Sequence, residues 1–249
     1  MTLEDEKLKF HSQDTISKTW FHTPSRQNLR EEKILKFFKN ILDPGDTFFD
    51  VGSHIGVYSV IAGLNAGPVY AFDIEDRCLE ILERNLKLNQ VKDFKVENVA
   101  VGKSEDHALF CSTPSPDFSH IVSEEKMLPC LIGNLEEIQR ITLDGYVRRN
   151  KVVPDIVKID VEGAESDVLK GSTRLLQTHS PEFLIEIHER RFQERSSEYE
   201  EDPISILENY GYDVFRVDRD TGKLEEWEAP ELRGREFLYA VSEKSGSEI

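Results

Sequence analysis

The stretch Thr47-Phe48-Phe49-Asp50-Val51-Gly52-Ser53-His54-Ile55-Gly56-Val57-Tyr58 constrains the fold more than any other part of the chain. A short apolar run ends in an acid, two glycines four residues apart follow, and a helical pattern begins at once. A second apolar run, Val69-Tyr70-Ala71-Phe72-Asp73, closes on another acid. Strand, glycine turn, helix and strand make a βαβ unit, and its turn falls at the carboxyl edge of a parallel sheet, where such sheets bind ligands. Gly52 and Gly56 are expected to let backbone pass close to a nucleoside. Asp73 is expected to accept hydrogen bonds from its two ribose hydroxyls.

The rest of the chain repeats the alternation. Ile34, Leu35, Phe38, Ile41 and Leu42 recur at helical spacing and stop at Asp43-Pro44-Gly45. Helices carrying Val57, Val60, Ile61 and Leu64, and then Leu79, Leu82 and Leu86, flank the second strand. A third strand is expected over 94–101, then an irregular excursion over 103–143 on the substrate side, with an edge hairpin and a short strand at 139–143. Buried strands at 155–161 and 182–188 enclose one helix from Ala164 to Thr178. Asp202-Pro203 and Gly211 start and stop another helix. Strands at 212–217 and 236–241, joined without a helix, are expected to pair antiparallel. The divisions are an N-terminal extension over 1–28, able to act as a lid, a domain over 29–243, and a disordered tail over 244–249.

Composition limits the partners. Forty-eight acids against 31 Lys and Arg give a formal charge of −17 over 249 residues, enough chain for one sizeable α/β domain. Such a surface repels a polyanion, and the compact basic groups, Arg148-Arg149-Asn150-Lys151 and Arg190-Arg191, read as solvated helix ends. Nucleic acid is therefore disfavoured as a partner. Cys78, Cys111 and Cys130 are odd in number and far apart, so neither a disulfide framework nor a zinc spacing is expected, only packing in a reducing compartment. No apolar run approaches the ~18 residues of a membrane helix. The charged start, 1–9, lacks a signal-peptide core. A cytoplasmic protein is the expectation.

Charge also selects among nucleoside ligands. A Walker loop needs a lysine and a hydroxyl residue after its last glycine, and Val57-Tyr58 stand there. A dinucleotide fingerprint offers a pyrophosphate a third glycine or alanine, whereas Asp50 stands ahead of this turn. A carboxylate is unfavourable beside a diphosphate and favourable beside the sulfonium and ammonium of S-adenosylmethionine.

Six segments in order resemble the FkbM-type methyltransferases. They are 50–56, Ala71-Phe72-Asp73, the stretch from Asn85 to Asn89, Ile141-Thr142-Leu143-Asp144, Val157-Lys158-Ile159-Asp160-Val161-Glu162-Gly163-Ala164-Glu165 and Phe183-Leu184-Ile185-Glu186-Ile187-His188. The likeness spans about 31–241 and is most specific around Asp160. It implies an α/β class I methyltransferase fold, Rossmann-like, with a seven-stranded, mostly parallel sheet, helices on both faces and the last strand antiparallel. It also implies S-adenosyl-L-methionine as cofactor and O-methylation of a hydroxyl on a small-molecule or carbohydrate (glycan) acceptor. Donor-binding residues are then Asp50, Gly52, Ser53, His54 and Gly56 in the first turn, and Asp73 and Ile74 after the second strand. Asn98, Val99 and Asp160 complete the set. The chain departs from the family's usual asparagine at His54 and from its glutamate-proline at Asp73-Ile74.

A hydroxyl nucleophile gains from alignment and from a base or metal that takes its proton. Lys158 and Asp160 share one face of their strand, as do Glu186 and His188 of the next. If the strands pair, Asp160, Glu186 and His188 converge as catalytic candidates, with His188 as general base. Lys158 is read as a structural partner of a carboxylate. Glu162 and Glu165 are read as complements to a helix dipole. His54 is read as a loop or cofactor contact, while His120, in the excursion, is able to reach substrate. A divalent metal on Glu186, His188 and Glu189 is the alternative chemistry, not favoured because histidine suits magnesium poorly. Methylation of RNA or protein, and a module that binds donor without turnover, are the alternative functions. The excursion and Trp20-Phe21-His22 are expected to shape the acceptor pocket. They carry no readable code for the acceptor, and the sequence carries none for oligomeric state.

Overall fold

A computed structural model of the chain describes residues 1–3, 6–13, 16–18, 30–113, 120–122, 133–188, 201–227 and 235–242. Trp20-Phe21-His22, Cys130, Glu189, Arg190-Arg191 and the tail over 244–249 lie outside the described residues, as do the side chains of His120 and His188.

The chain opens with a ribbon of β1 (Thr2–Leu3) and β2 (Glu6–Lys7). Helix α1 (Arg30–Asn40) leads into β3 (Phe48–Val51), α2 (Val57–Asn65), β4 (Val69–Asp73), α3 (Asp76–Leu88) and β5 (Phe94–Asn98). After an excursion come α4 (Leu143–Asn150), β10 (Ile156–Ile159), α5 (Glu165–Lys170), α6 (Thr173–Thr178) and β11 (Glu182–His188). Helix α7 (Pro203–Asn209), β12 (Tyr212–Val217), β13 (Leu224–Glu226) and β14 (Arg235–Ser242) complete it. The main sheet runs β13-β12-β14-β11-β10-β3-β4-β5. Its five strands from β5 to β11 are parallel, while β14 is antiparallel to both β11 and β12. This is the expected sheet with one addition. The polar turn between the last two predicted strands folds back as β13, making an eighth strand.

Side-chain alternation along β3 assigns its residues to the two cores. Phe48 joins α1, α2 and α3 through Phe38, Ile61 and Leu82. Phe49 and Val51 pack on the other face with Tyr146, Leu169 and Leu176 of α4, α5 and α6. Asp50 therefore shares the Phe48 face, beneath α2.

The excursion is more regular than its sequence. Backbone pairing breaks at Val99, and β6 (Ala100–Val101) leaves the main sheet to join β7 (Asp106–Ser112), β8 (His120–Val122) and β9 (Asn134–Ile141) in a second, four-stranded sheet ordered β6-β9-β7-β8. The helix expected over 164–178 is two helices. At the break, a Cβ on Gly171 would stand 2.1 Å from the Gly102 carbonyl oxygen, so the excursion's backbone presses directly on the turn. The Ile141-Thr142-Leu143-Asp144 motif builds this junction. Thr142 caps α4, its Oγ1 accepting from Gly145 N at 3.0 Å. Asp144 caps α6, accepting from Arg174 N at 2.8 Å and Leu175 N at 2.9 Å.

Cys111 is disulfide-bonded, while Cys78 is a buried free thiol. This corrects the expectation of packing alone and removes the cysteine argument for a reducing compartment. Among the described residues no helix is long and apolar enough to cross a membrane.

Candidate functional site

The carboxyl ends of β3, β4, β10 and β11 open into one cleft. With the solvent at its mouth it holds about 1180 Å³ of empty volume, ample for a nucleoside and a second small molecule. Gly52, Ser53, His54, Asp73, Ile74, Val99 and Asp160, all predicted donor contacts, line it. Glu186 lines it as well. Asp50, Gly56 and Asn98 do not.

Asp50 is fully buried, and its Oδ2 accepts from Ser59 Oγ at 2.6 Å. Lys158 stands opposite Asp50 in the β10–β3 register, and its Nζ lies 3.7 Å from Asp50 Oδ1. Asp50 thus has a cationic partner inside the protein, which it shares with Asp160, and it does not line the cleft. Burial pushes its carboxyl up, against the pull of Lys158 and Ser59.

The glycines also have internal reasons. Gly52 has φ +76°, and a Cβ there would stand 1.8 Å from the Asp160 carbonyl oxygen. Gly56 has φ +79°, and its Cβ would stand 2.6 Å from Leu82 Cγ of α3. Close strand pairing and helix packing demand both residues. Only Gly52 also fronts the cleft.

Asp73 both holds the turn and faces the cleft. Its Oδ2 accepts from His54 N at 2.8 Å and its Oδ1 from Glu75 N at 2.9 Å. A carboxylate offers about four lone-pair directions, so two remain for ligand hydroxyls. Burial pushes the carboxyl up to about 6, against those two hydrogen bonds. Asn98 steadies this corner from outside the cleft, its Nδ2 donating to the carbonyls of Asp73 at 3.2 Å and Ile74 at 3.1 Å. Apolar walls come from Ile74, Val99 and, from the second sheet, Ile121. Ser53 lines the cleft, and its buried Oγ has no hydrogen-bond partner among the described residues.

Ion pairs dominate the other end. Lys158 Nζ donates to Gly52 O at 3.2 Å and to Asp160 Oδ2 at 3.3 Å, and it lies 4.9 Å from the centre of the Tyr58 ring. Burial pulls the ammonium down, but Asp160, Asp50 and Glu186 together push it above its ordinary value, so it stays charged. Glu186, predicted as catalytic, accepts from Arg219 Nη2 at 3.1 Å and lies 3.7 Å from Arg235 Nη1. Arg235 Nη2 also lies 3.6 Å from Glu162 Oε1. Glu165 Oε1 accepts from Gly163 N at 2.9 Å, fastening the turn before α5. His188 ends β11 in register with Arg235, and its side chain lies outside the described residues. The expected convergence is therefore described for Asp160 and Glu186 alone. Among the described residues no three of His, Cys, Asp and Glu gather as a metal site.

Sequence reasoning missed Glu31, Tyr58, Glu75, Ile121 and Arg235 as cleft residues, and Arg219 behind them. Tyr58 was legible, because the helix after a ligand-binding turn presents its first residues to the ligand. The others carry no local signal. Glu31, Ile121, Arg219 and Arg235 come from segments far along the chain, whereas Glu75 directly follows Asp73-Ile74.

Residues 50–214 match the family model of the methyltransferase FkbM domain. The chain belongs to the FkbM methyltransferase family. The hexuronic acid methyltransferase AglP of Haloferax volcanii is 32% identical over 163 residues, covering 64% of this chain and 62% of that protein. A ribosomal protein L11 methyltransferase of Caldanaerobacter subterraneus is 27% identical over 117 residues, 46% of this chain and 36% of that protein. The crystal structure of a methyltransferase FkbM from Methylobacillus flagellatus superposes with a TM-score of 0.50 at 18% identity, over 79% of this chain and 43% of that one, a likeness of fold. The chain thus spans less than two thirds of each of these three proteins. Asp50, Asp73 and Asp160 fall inside the family segment; Glu31, Arg219 and Arg235 fall outside it.

Proposed function

We propose that this FkbM-family chain uses S-adenosylmethionine to O-methylate a hydroxyl of a carbohydrate acceptor. The observation that carries the donor reading is Asp73. It is a half-buried carboxylate whose turn-facing lone pairs are taken by two backbone N–H groups and whose remaining pairs face a cleft at the carboxyl edge of a parallel sheet. The donor supplies an electrophilic methyl on a sulfonium.

The chain's own residues supply binding and alignment. Asp73 holds the ribose, Ile74, Val99 and Ile121 enclose the adenine, and the Gly52–Ile55 turn with Ser53 Oγ receives the methionine portion. Asp160, fixed by Lys158 and by its backbone bond to Val51 O at 2.9 Å, adds negative charge beside the sulfonium. Glu186 is engaged by two arginines, so it positions its neighbours, and proton acceptance falls to His188. The carbohydrate class is supported by the AglP relative, whose name describes a hexuronic acid methyltransferase, and by a surface charge of −17 that disfavours a polyanion.

Calorimetry with S-adenosylmethionine and S-adenosylhomocysteine tests the donor. Transfer of labelled methyl into a glycan pool, compared with RNA and protein pools, tests the acceptor. No binding of either nucleoside refutes the donor assignment, and label confined to RNA or protein refutes the carbohydrate. His188→Ala is expected to reduce turnover with donor affinity unchanged, and a chelator is expected to leave the rate unchanged.

A further inference from the structure

The cleft's acids are not equivalent. Asp73 is held by two backbone N–H groups, Glu75 by Arg77, Asp160 by Lys158, and Glu162 and Glu186 by arginines. Glu31, in the first turn of α1, lines the cleft with neither a cation nor an N–H donor on its carboxylate among the described residues. Two neighbours share that condition in part. Tyr58 lines the cleft, only 8% exposed, and its buried hydroxyl has no hydrogen-bond partner among the described residues. Arg235 stands 3.6 and 3.7 Å from its two acids, close enough for ion pairing but too far for good hydrogen bonds, so its N–H groups remain available.

Buried polar groups are ordinarily satisfied, and a group left open toward a cavity is one a ligand can satisfy. The three groups also differ in kind: an acceptor, a group that both donates and accepts, and a fork of donors. Burial, followed by the charges of Glu31, Glu186 and Asp160, pushes the Tyr58 phenol well above its ordinary value, so it remains a hydroxyl. Resting on the carbohydrate reading above, we propose that Glu31, Tyr58 and Arg235 form the acceptor subsite, and that it takes an uncharged sugar ring by hydrogen bonds to neighbouring hydroxyls.

The uncharged class follows from the charges at this end. Among the described residues, Glu31, Asp160, Glu162 and Glu186 face Lys158, Arg219 and Arg235, and each of these cations is already engaged by an acid. A uronate would add a negative charge where, among the described residues, acids outnumber bases, in a chain of formal net charge −17. A neutral ring meets no such penalty, and each of its hydroxyls both donates and accepts. Glu31 and Arg235 lie on either side of the family segment, 50–214, so this acceptor preference is free to differ from that of the hexuronate relative.

The test uses the full chain saturated with S-adenosylhomocysteine. Methyl glycosides of glucose, galactose and mannose serve as neutral probes and glucuronate as the anionic probe, followed by saturation-transfer NMR and calorimetry. At least one neutral glycoside is expected to bind. Glu31→Gln should weaken it by about tenfold and Tyr58→Phe by several-fold, with S-adenosylhomocysteine affinity and melting midpoint unchanged. Glycoside affinity unmoved by Glu31→Gln overturns the subsite. So does glucuronate binding more tightly than every neutral glycoside and being lost in Arg235→Gln. Binding of no sugar while S-adenosylhomocysteine still binds overturns the subsite and leaves the donor reading standing. Failure of S-adenosylhomocysteine itself to bind overturns both.

Discussion

The two ends of the cleft are stabilised in different ways. At the donor end the polar groups are satisfied by nearby backbone. Asp73 bonds to His54 and Glu75, Asn98 spans the carbonyls of residues 73 and 74, and the Gly52 and Gly56 turns follow their strand directly. At the proposed acceptor end acids meet side chains from remote segments, with Arg219 and Arg235 pairing with Glu162 and Glu186. Local backbone bonds give a fixed shape that suits a constant ligand. Long-range ion pairs are exchangeable, and changing one side chain changes the site.

Lys158 joins the two halves, so its removal should break the contrast most severely. Lys158→Met leaves Asp50 buried beside no cation and should cost about 3–5 kcal/mol of stability. A urea midpoint that barely moves would show that Asp50 relies on Ser59 alone. Gly52→Ala should follow at about 3 kcal/mol, from positive φ plus a clash with rigid strand backbone. Gly56→Ala should cost less in the same denaturation series, because its Cβ would stand 2.6 Å from Leu82 Cγ, a side-chain contact, against 1.8 Å from a strand carbonyl oxygen at Gly52. Equal losses would contradict the distinction.

Asp73→Asn should weaken S-adenosylmethionine binding by about tenfold to a hundredfold, measured calorimetrically, and should cost about 1–3 kcal/mol of stability, because the amide nitrogen cannot accept from one of the two backbone N–H groups that Asp73 now serves. Burial pushes the Asp73 carboxyl up to about 6, so it is expected to gain a proton as pH falls through that range and to lose acceptor capacity. Wild-type affinity should therefore drop between neutral and mildly acid pH while the Asn variant stays flat. A pH-independent wild type would detach Asp73 from the ribose.

Asn85→Ala should give the smallest effect, about 1 kcal/mol. Asn85 is fully buried, its Nδ2 donating to Ile55 O at 2.8 Å and its Oδ1 accepting from His11 N at 2.7 Å. It thus ties the N-terminal segment to the donor turn. Asn89 bonds reciprocally with Lys9, at 2.9 Å and 2.6 Å. Hydrogen exchange should quicken over residues 6–13 and in the turn together. Quickening confined to one of them would uncouple the two.

How much of this the sequence carried depends on the range of the interaction. The βαβ unit, the positive-φ glycines and the acid at the end of β4 were legible, because strand period, turn chemistry and helix period are properties of a few consecutive residues. The excursion was only half legible: β6 pairs with β9, some 40 residues on, and no local pattern marks that partner. Asp50 was read as a donor contact because its strand position is known while the contents of its face are not. Strand alternation puts it with Phe48, but only packing reveals Ser59 and Lys158 beside it. Glu31, Arg219 and Arg235 carried no signal at all. The sequence by itself determined the strands and helices of the βαβ unit and its glycine turn, each a property of a few consecutive residues. The tertiary structure decided which charges meet at the acceptor end, because an ion pair constrains where two side chains lie and leaves their separation along the chain free.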